Sequence, residues 1–135
     1  MNGLTANVWV EHLPVPSLRQ SLAGSWGVDA DGKPIMLPGV ASLTGARRTF
    51  TPNPSGKGKT VMLFGEGHPF LVASILLNGH LLSRSFGMTR GEHFHINLTP
   101  YIKWGQPNDI ELRPTYGWPM TTTTMEIRYY EPDAL

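Results

Sequence analysis

The strongest local constraint on the fold is Asn78-Gly79, which separates two short apolar runs. A two-residue hairpin loop of type I′ requires positive φ at both central residues, and asparagine and glycine tolerate this conformation better than other residues. The flanking residues are mainly leucine and isoleucine, which suit strands with a buried face. The sequence therefore predicts a central β-hairpin, with strands over residues 70–77 and 80–84.

The distribution of glycine and proline extends this prediction to the whole chain. The 15 glycines and 12 prolines lie mostly between short β-prone runs. This spacing favours an all-β sandwich or barrel over helices. We count eight or nine short strands, and we find no helix and no internal repeat. A length of 135 residues is enough for one core, so we expect a single β-sandwich domain over residues 1–135.

The amino-acid composition limits the kinds of molecule that we expect the chain to bind. The net charge is +1 and only 16% of residues are charged, so no strong field attracts nucleic acid or an anionic membrane. Arg47-Arg48 is interpreted as ordinary strand-edge charge. The absence of cysteine excludes disulfides and thiol catalysis. The first residues lack the features of a signal peptide, and the longest apolar run, residues 70–77, is too short to span a bilayer. We expect neither nucleic acid nor a membrane as partner, and the compartment stays open.

Six motifs between about residue 22 and residue 112 share one family pattern. They are L-A-G-S-W at 22–26, G-K-P-I-M-L-P-G at 32–39, R-R-T-F at 47–50, V-A-S-I-L-L-N-G-H at 72–80, F-H-I-N-L-T at 94–99 and G-Q-P-N-D-I at 105–110. Together they resemble the sugar-binding domain that precedes the catalytic barrel in glycoside hydrolase family 2 enzymes. Asn97 stands where that family usually has aspartate. The resemblance implies a jelly-roll sandwich, galactose-binding-domain-like, that does not itself carry catalysis.

The carboxylates give no catalytic pattern. Glycosidases need two carboxyl groups that flank the scissile bond. Asp109 and Glu111 alternate around Ile110, which predicts that both point to solvent while Ile110 points to the core. A catalytic (β/α)₈ barrel needs roughly 250 residues, and no Gly-x-Ser-x-Gly motif is present. We therefore predict that the chain is not an enzyme.

Three histidines are candidate metal ligands by their positions in the sequence. His93 and His95 are two residues apart, so they share one face of a strand, and His80 lies near the hairpin turn. A zinc site needs at least three protein ligands, and no third ligand can be named. We interpret the paired histidines as hydrogen-bonding residues at the surface or rim. The sequence predicts no metal and no cofactor.

Loop aromatics carry the main functional hypothesis. Sugars stack their C–H faces on tryptophan and tyrosine rings, while neighbouring polar groups bind the hydroxyls. Trp26 and Phe64 are expected in the core, whereas Trp104 is either a lid over the core or an exposed platform. The candidate ligand-binding residues are Trp104, Tyr116, Trp118, Arg90, Glu92, Gln106 and Asn108.

Two functions remain open at this level. The first is a non-catalytic carbohydrate-binding module with a glycan as partner. The alternative is a structural or interaction subunit of a larger assembly, an oligomer or a virion component, in which the aromatic face contacts protein. The Thr-rich strand at 121–130 bears on this choice, because an edge strand pairs readily with another chain and an inner strand does not.

Overall fold

A computed structural model describes residues 15–29, 31–37, 39–41, 45–67, 72–87, 93–114 and 120–134. These ranges contain eleven strands and one 3₁₀ turn, Pro54–Gly56, so the all-β class is confirmed with more strands than the eight or nine expected. The strands are β1 (Leu18–Ser21), β2 (Gly24–Val28), β3 (Pro34–Leu37), β4 (Gly39–Ala41), β5 (Ala46–Phe50), β6 (Thr60–Gly67), β7 (Val72–Leu77), β8 (His80–Gly87), β9 (His93–Asn97), β10 (Asn108–Pro114) and β11 (Met120–Tyr130). Among the described residues, no helix is long and apolar enough to cross a membrane.

The strands form two large antiparallel sheets and a small one. The five-stranded sheet has the order β1-β11-β6-β9, with β4 also pairing with β11. The four-stranded sheet has the order β5-β10-β7-β8, and β2 pairs with β3 separately. Buried side chains from both large sheets belong to one cluster, so the sheets pack face to face as a sandwich.

The predicted central hairpin is confirmed. β7 and β8 pair directly across Asn78-Gly79, whose φ angles are 51° and 81°. Asn78 also contributes its side chain, because its Oδ1 accepts a hydrogen bond from the Asp109 backbone N–H at 2.9 Å. The turn is thereby tied to the start of β10. Residues 70 and 71, which the prediction assigned to the first strand, lie outside the described residues.

The last strand is an inner strand, not an edge. β11 pairs with β1 and β4 on one side and with β6 on the other. Its alternation follows the sequence, because Met125, Ile127 and Tyr129 all point into the core. Its backbone groups are therefore engaged within the sandwich and offer no free edge to another chain.

Trp26 fills one part of the core, as expected. Its side chain is fully buried, and the indole Nε1–H donates to the backbone carbonyl of Leu22 at 2.8 Å. Buried indoles need such a partner, since an unpaired donor costs free energy. The L-A-G-S-W motif at 22–26 therefore contains both the core residue and its acceptor. Phe64 is also buried, but it lies on the opposite face of the five-stranded sheet from the main cluster.

Gly56 allows the 3₁₀ turn to lie against the ring of Tyr129. The Tyr129 ring is fully buried, and its hydroxyl donates to Gln20 Oε1 at 2.6 Å while accepting from the Asn53 N–H at 2.9 Å. A Cβ atom on Gly56 would overlap this ring, with 2.5 Å to its Cε2. Because both hydroxyl bonds hold the ring in place, it cannot move aside at low cost.

We expect Gly56→Ala to lower the free energy of unfolding by about 2 kcal/mol through this overlap. Urea denaturation measures the change. Lys57→Ala, at the exposed neighbouring position, is the control and is expected to change stability by less than about 0.5 kcal/mol. Equal midpoints for the wild type and Gly56→Ala would contradict the close contact.

Candidate binding groove

An open groove lies between β2 and β5, the latter being an outermost strand of the four-stranded sheet. Its volume is about 590 Å³, which is within the range of sites that bind small molecules. We call it the β2–β5 groove. The residues that line it are Ala23, Gly24, Ser25, Arg47, Arg48, Thr49 and Asp109. Five of these seven residues have polar side chains, which bring hydroxyl, guanidinium and carboxylate groups together.

Arg47 and Asp109 form an ion pair across two strands of the groove wall. The Nη2 atom of Arg47 lies 2.5 Å from Oδ2 of Asp109, and the pairing of β5 with β10 brings the two residues together. The hydrogen bond to Asp109 is the main cause that raises the pKa of Arg47 above its usual value. Arginine is charged in either case. The Arg47 side chain is 65% exposed, which leaves further donors of the guanidinium open to the groove.

Arg48 turns to the opposite side of β5 and is half-buried. Its Nη1 donates to the backbone carbonyl of Ala23 at 2.8 Å, and its Nε is buried without a hydrogen-bond partner among the described residues. Gly24 permits this approach, because a Cβ atom there would lie 3.0 Å from Nη1 and the residue has φ of 125°. The described residues supply no carboxylate that forms an ion pair with Arg48.

Asn108 requires a correction of the predicted site. It is fully buried, and its Oδ1 accepts hydrogen bonds from the Lys103 N–H and from Asn78 Nδ2, both at 2.8 Å. Its Nδ2 donates to the carbonyls of Lys103 at 2.7 Å and of Gln106 at 3.0 Å. With both ends of the amide bonded, Asn108 closes its own loop and is not free to bind a sugar hydroxyl.

The other predicted binding residues fall into two groups. Trp104 is half-buried and packs against the core, and Gln106 is exposed in the same loop. Trp104 therefore combines features of both alternatives, because one part of its indole covers the core while another part reaches solvent. Four predicted residues lie outside the described residues: Arg90, Glu92, Tyr116 and Trp118.

The carboxylates of β10 face outwards as predicted. Ile110 is buried in the core, whereas Asp109 and Glu111 are only partly buried on the other face. Asp109 pairs with Arg47, and Glu111 lies 3.0 Å from Nε of Arg113. Both carboxylates are therefore neutralised by arginine on an open sheet surface.

His95 was predicted at the surface or rim, and that prediction is wrong. Its side chain is fully buried, and within the described part of the chain neither ring nitrogen has a hydrogen-bond partner. The ring packs edge-on against Phe64 at 6.3 Å and Tyr130 at 5.4 Å between centroids. Burial, with a smaller contribution from the charge of Arg128, lowers the pKa of His95 to about 4. The side chain of His93 lies outside the described residues, and no cluster of three possible metal ligands occurs within them.

Sequence reasoning missed Arg47 and Arg48 as site residues. It assigned them to ordinary strand-edge charge, because nothing local distinguishes a groove arginine from a surface one. The groove forms only when residues 23–25 come to lie beside residues 47–49. The one available signal was that both segments belong to motifs of the same domain pattern.

Comparison with known proteins shows which solved structures share this fold. No family model and no curated protein sequence matches the chain. Among solved structures, a glycosyl hydrolase family 2 member from Bacteroides cellulosilyticus matches with a TM-score of 0.63 and 19% identity, over 84% of this chain and 21% of that one. The β-glucuronidase of Lactobacillus rhamnosus matches with a TM-score of 0.61 and 14% identity, over 91% of this chain and 30% of that one. That of Ruminococcus gnavus matches with a TM-score of 0.63 and 11% identity, over 90% and 30%.

These matches confirm the resemblance at the level of fold. The chain has the β-sandwich found in glycoside hydrolase family 2 structures, and it spans less than a third of the length of those three proteins. Its described part is an antiparallel sandwich and is not a catalytic (β/α)₈ barrel.

Proposed function

We propose that this chain is a non-catalytic carbohydrate-binding module. The observation that carries the proposal is the β2–β5 groove, an open polar cavity of about 590 Å³ on this sandwich. A sugar presents many hydroxyl groups, each both donor and acceptor, so its site needs donors and acceptors close together. The Arg47–Asp109 pair supplies both, and the hydroxyls of Ser25 and Thr49 add groups that can play either role.

Loop aromatics outside the groove lining are proposed as stacking surfaces for the sugar. Trp104 stands in a loop whose shape is fixed by three hydrogen bonds from Asn108 to Lys103 and Gln106. A pre-shaped loop loses little conformational entropy on binding, which favours affinity. Tyr116 and Trp118 are proposed as stacking surfaces because they lie in a Pro/Gly-bounded segment. That segment follows the end of β10, whereas the groove residue Asp109 lies at its beginning.

A catalytic role is not proposed. Glycosidases need two carboxyl groups that flank the scissile bond. Asp109 and Glu111 are each ion-paired to an arginine, and of the two only Asp109 lines the groove. The resemblance points the same way, because the corresponding domain of glycoside hydrolase family 2 accompanies the catalytic barrel.

The test is a glycan-array screen followed by titration of tryptophan fluorescence. Asp109→Ala removes the acceptor of the groove, and Trp118→Ala removes a proposed stacking ring. Each is expected to weaken binding of an array-positive glycan by about tenfold or more. Asp133→Ala removes an exposed carboxylate far along the chain and is expected to leave binding unchanged. A blank array, or full binding by both variants, would contradict the proposal.

A second candidate is an interaction module of a larger assembly. It is favoured by exposed apolar side chains on the small sheet, where Val28 is 62% and Met36 is 55% exposed. Such side chains are common at protein interfaces. The light-scattering mass of the sample used for the array decides the matter. A blank array together with a defined oligomer mass that Met36→Lys abolishes would favour assembly over sugar binding.

A further inference from the structure

We propose that the β2–β5 groove selects acidic saccharides, and that the anionic group binds Arg48 along the Nε–Nη2 edge of its guanidinium. This inference rests on the proposed carbohydrate-binding function and specifies its ligand class. The ligand is a sugar that carries a carboxylate or a sulfate ester. These groups share planar or pyramidal arrays of anionic oxygens, which a guanidinium binds through two parallel hydrogen bonds.

The charges of the groove favour an anion. Its lining contains two arginines and one aspartate, a formal balance of +1. Arg47 and Asp109 neutralise each other within their ion pair. Arg48 is half-buried, and no described carboxylate pairs with it. A partly buried charge is screened less by water and salt than an exposed one, so this excess acts strongly on a ligand inside the groove.

The hydrogen bonds of Arg48 indicate which edge of its guanidinium has donors without an acceptor. Nη1 is already occupied by the Ala23 carbonyl, which fixes one side of the guanidinium. Nε has no partner, and a buried donor without an acceptor is unfavourable. An anionic oxygen at Nε would satisfy it, and a second oxygen would be within reach of Nη2 on the same edge. Because Nε is buried, the proposal requires ligand binding to turn this edge towards the groove while Nη1 keeps its bond to Ala23.

The same contacts explain why arginine and not lysine is needed. Lysine carries the charge but has no planar fork, so it cannot hold the Ala23 carbonyl and a bidentate anion together. Gly24 supports the arrangement, because a side chain there would crowd Nη1. Recognition by Arg48 thus depends on the backbone of Ala23 and Gly24 in the L-A-G-S-W motif.

The first test uses the unaltered chain and a matched pair of ligands. Trigalacturonate and its fully methyl-esterified form differ only at the carboxyl groups, which are anionic in the acid and neutral methyl esters in the other ligand. A sulfated chondroitin tetrasaccharide provides the sulfate arm. Calorimetric titration is expected to give at least about tenfold tighter binding for an acidic ligand than for the ester. The difference should shrink as the salt concentration rises from about 0.05 M to about 0.5 M.

The second test locates the anion. Arg48→Lys is expected to lose most of the preference for the acidic ligand, whereas Arg113→Lys, at an arginine outside the groove, should retain it. If Arg48→Lys is unstable, the ¹⁵N–Hε resonance of Arg48 in the wild type is the readout. That resonance should shift with the acidic ligand and stay in place with the ester.

The outcomes separate the two proposals. Equal affinity for acid and ester, or an unmoved Arg48 Hε resonance on binding, would overturn this inference and leave carbohydrate binding intact. Binding of no saccharide at all would overturn both. Preference for the carboxylate over the sulfate, or the reverse, identifies which acidic group the groove accepts.

Discussion

Asn108→Asp is expected to lower the free energy of unfolding at pH 7 by about 4 kcal/mol. The substitution changes one atom group, yet it removes the only donor that Asn108 presents to the carbonyls of Lys103 and Gln106. The new carboxylate oxygen would face both carbonyl oxygens in a fully buried position. A buried charge set against two acceptors has no means of compensation, which is why the effect is large for so small a change.

Urea denaturation with hydrogen exchange of the 103–106 loop measures this effect. Asn97→Asp is the matched control, because the exposed Asn97 uses only its Oδ1, which accepts from the Thr99 N–H at 3.0 Å. An aspartate oxygen accepts equally well there, so we expect a change of less than about 0.5 kcal/mol. Similar effects of both substitutions would show that Asn108 does not close the loop as described.

The second large effect is a loss of stability in acid that originates at His95. As the pH falls from 6.5 to about 4, His95 is expected to lower the free energy of unfolding by about 3 kcal/mol. The pKa of His95 is about 4 in the folded chain and near 6.5 when unfolded. The unfolded state therefore binds the proton more readily between these two values. Stability is complete above pH 6.5 and is lost progressively as the pH approaches 4.

The surroundings of His95 explain the direction. From β6, the apolar side chains of Met62 and Phe64 lie on the same buried face of the sheet. From β11, Tyr130 contacts the imidazole ring, while Arg128 adds a positive charge that opposes protonation.

The charge of Arg128 is partly offset by Glu126, whose carboxylate lies 2.5 Å from its Nε. Arg128 also lies over the Phe64 ring, with Cζ 3.5 Å from the ring centroid. The same Glu126 oxygen also lies 3.9 Å from Nε of Arg19, so Glu126 is shared by two arginines. Among the described residues, none of these three groups hydrogen-bonds the imidazole, and burial is the largest cause of the lowered pKa.

Stability curves at several pH values test this expectation. His95→Leu removes the titrating ring and should flatten the dependence between pH 4 and 6.5 relative to the wild type. His80→Gln is the control, because His80 is exposed and stacks on Tyr101 at 4.7 Å between centroids. This variant should retain the wild-type slope. Parallel curves for the wild type and His95→Leu would show that His95 is not the source.

Asn108 and His95 differ in how their stability effects are expected to relate to ligand binding. Asn108 ties the Trp104 loop to the start of β10, and the next residue, Asp109, lies in the groove wall. A change at Asn108 is therefore expected to disturb stability and binding together. His95 does not line the groove. Its titration should alter stability alone.

The local part of this fold was predictable because it depends on residues next to one another. Asn78-Gly79 defines a turn by its own conformational preference, and the structure has positive φ at both residues. Alternation likewise assigned Ile110 to the core and its two carboxylate neighbours to solvent. The same reasoning was wrong for His95, since alternation states which residues share a face but not whether that face is covered.

The sequence by itself therefore determined the all-β class, the central hairpin and the inward faces of the strands, because turn chemistry and a period of two act over a few residues. Only the tertiary structure decided the rest. In the tertiary structure both faces of β6 and β9 are buried, and both ends of the Asn108 side-chain amide are hydrogen-bonded. Residues 23–25 also come to lie beside Arg47 and Arg48. Those arrangements join segments far apart in the chain, and their energies depend on burial and partners that no local pattern encodes.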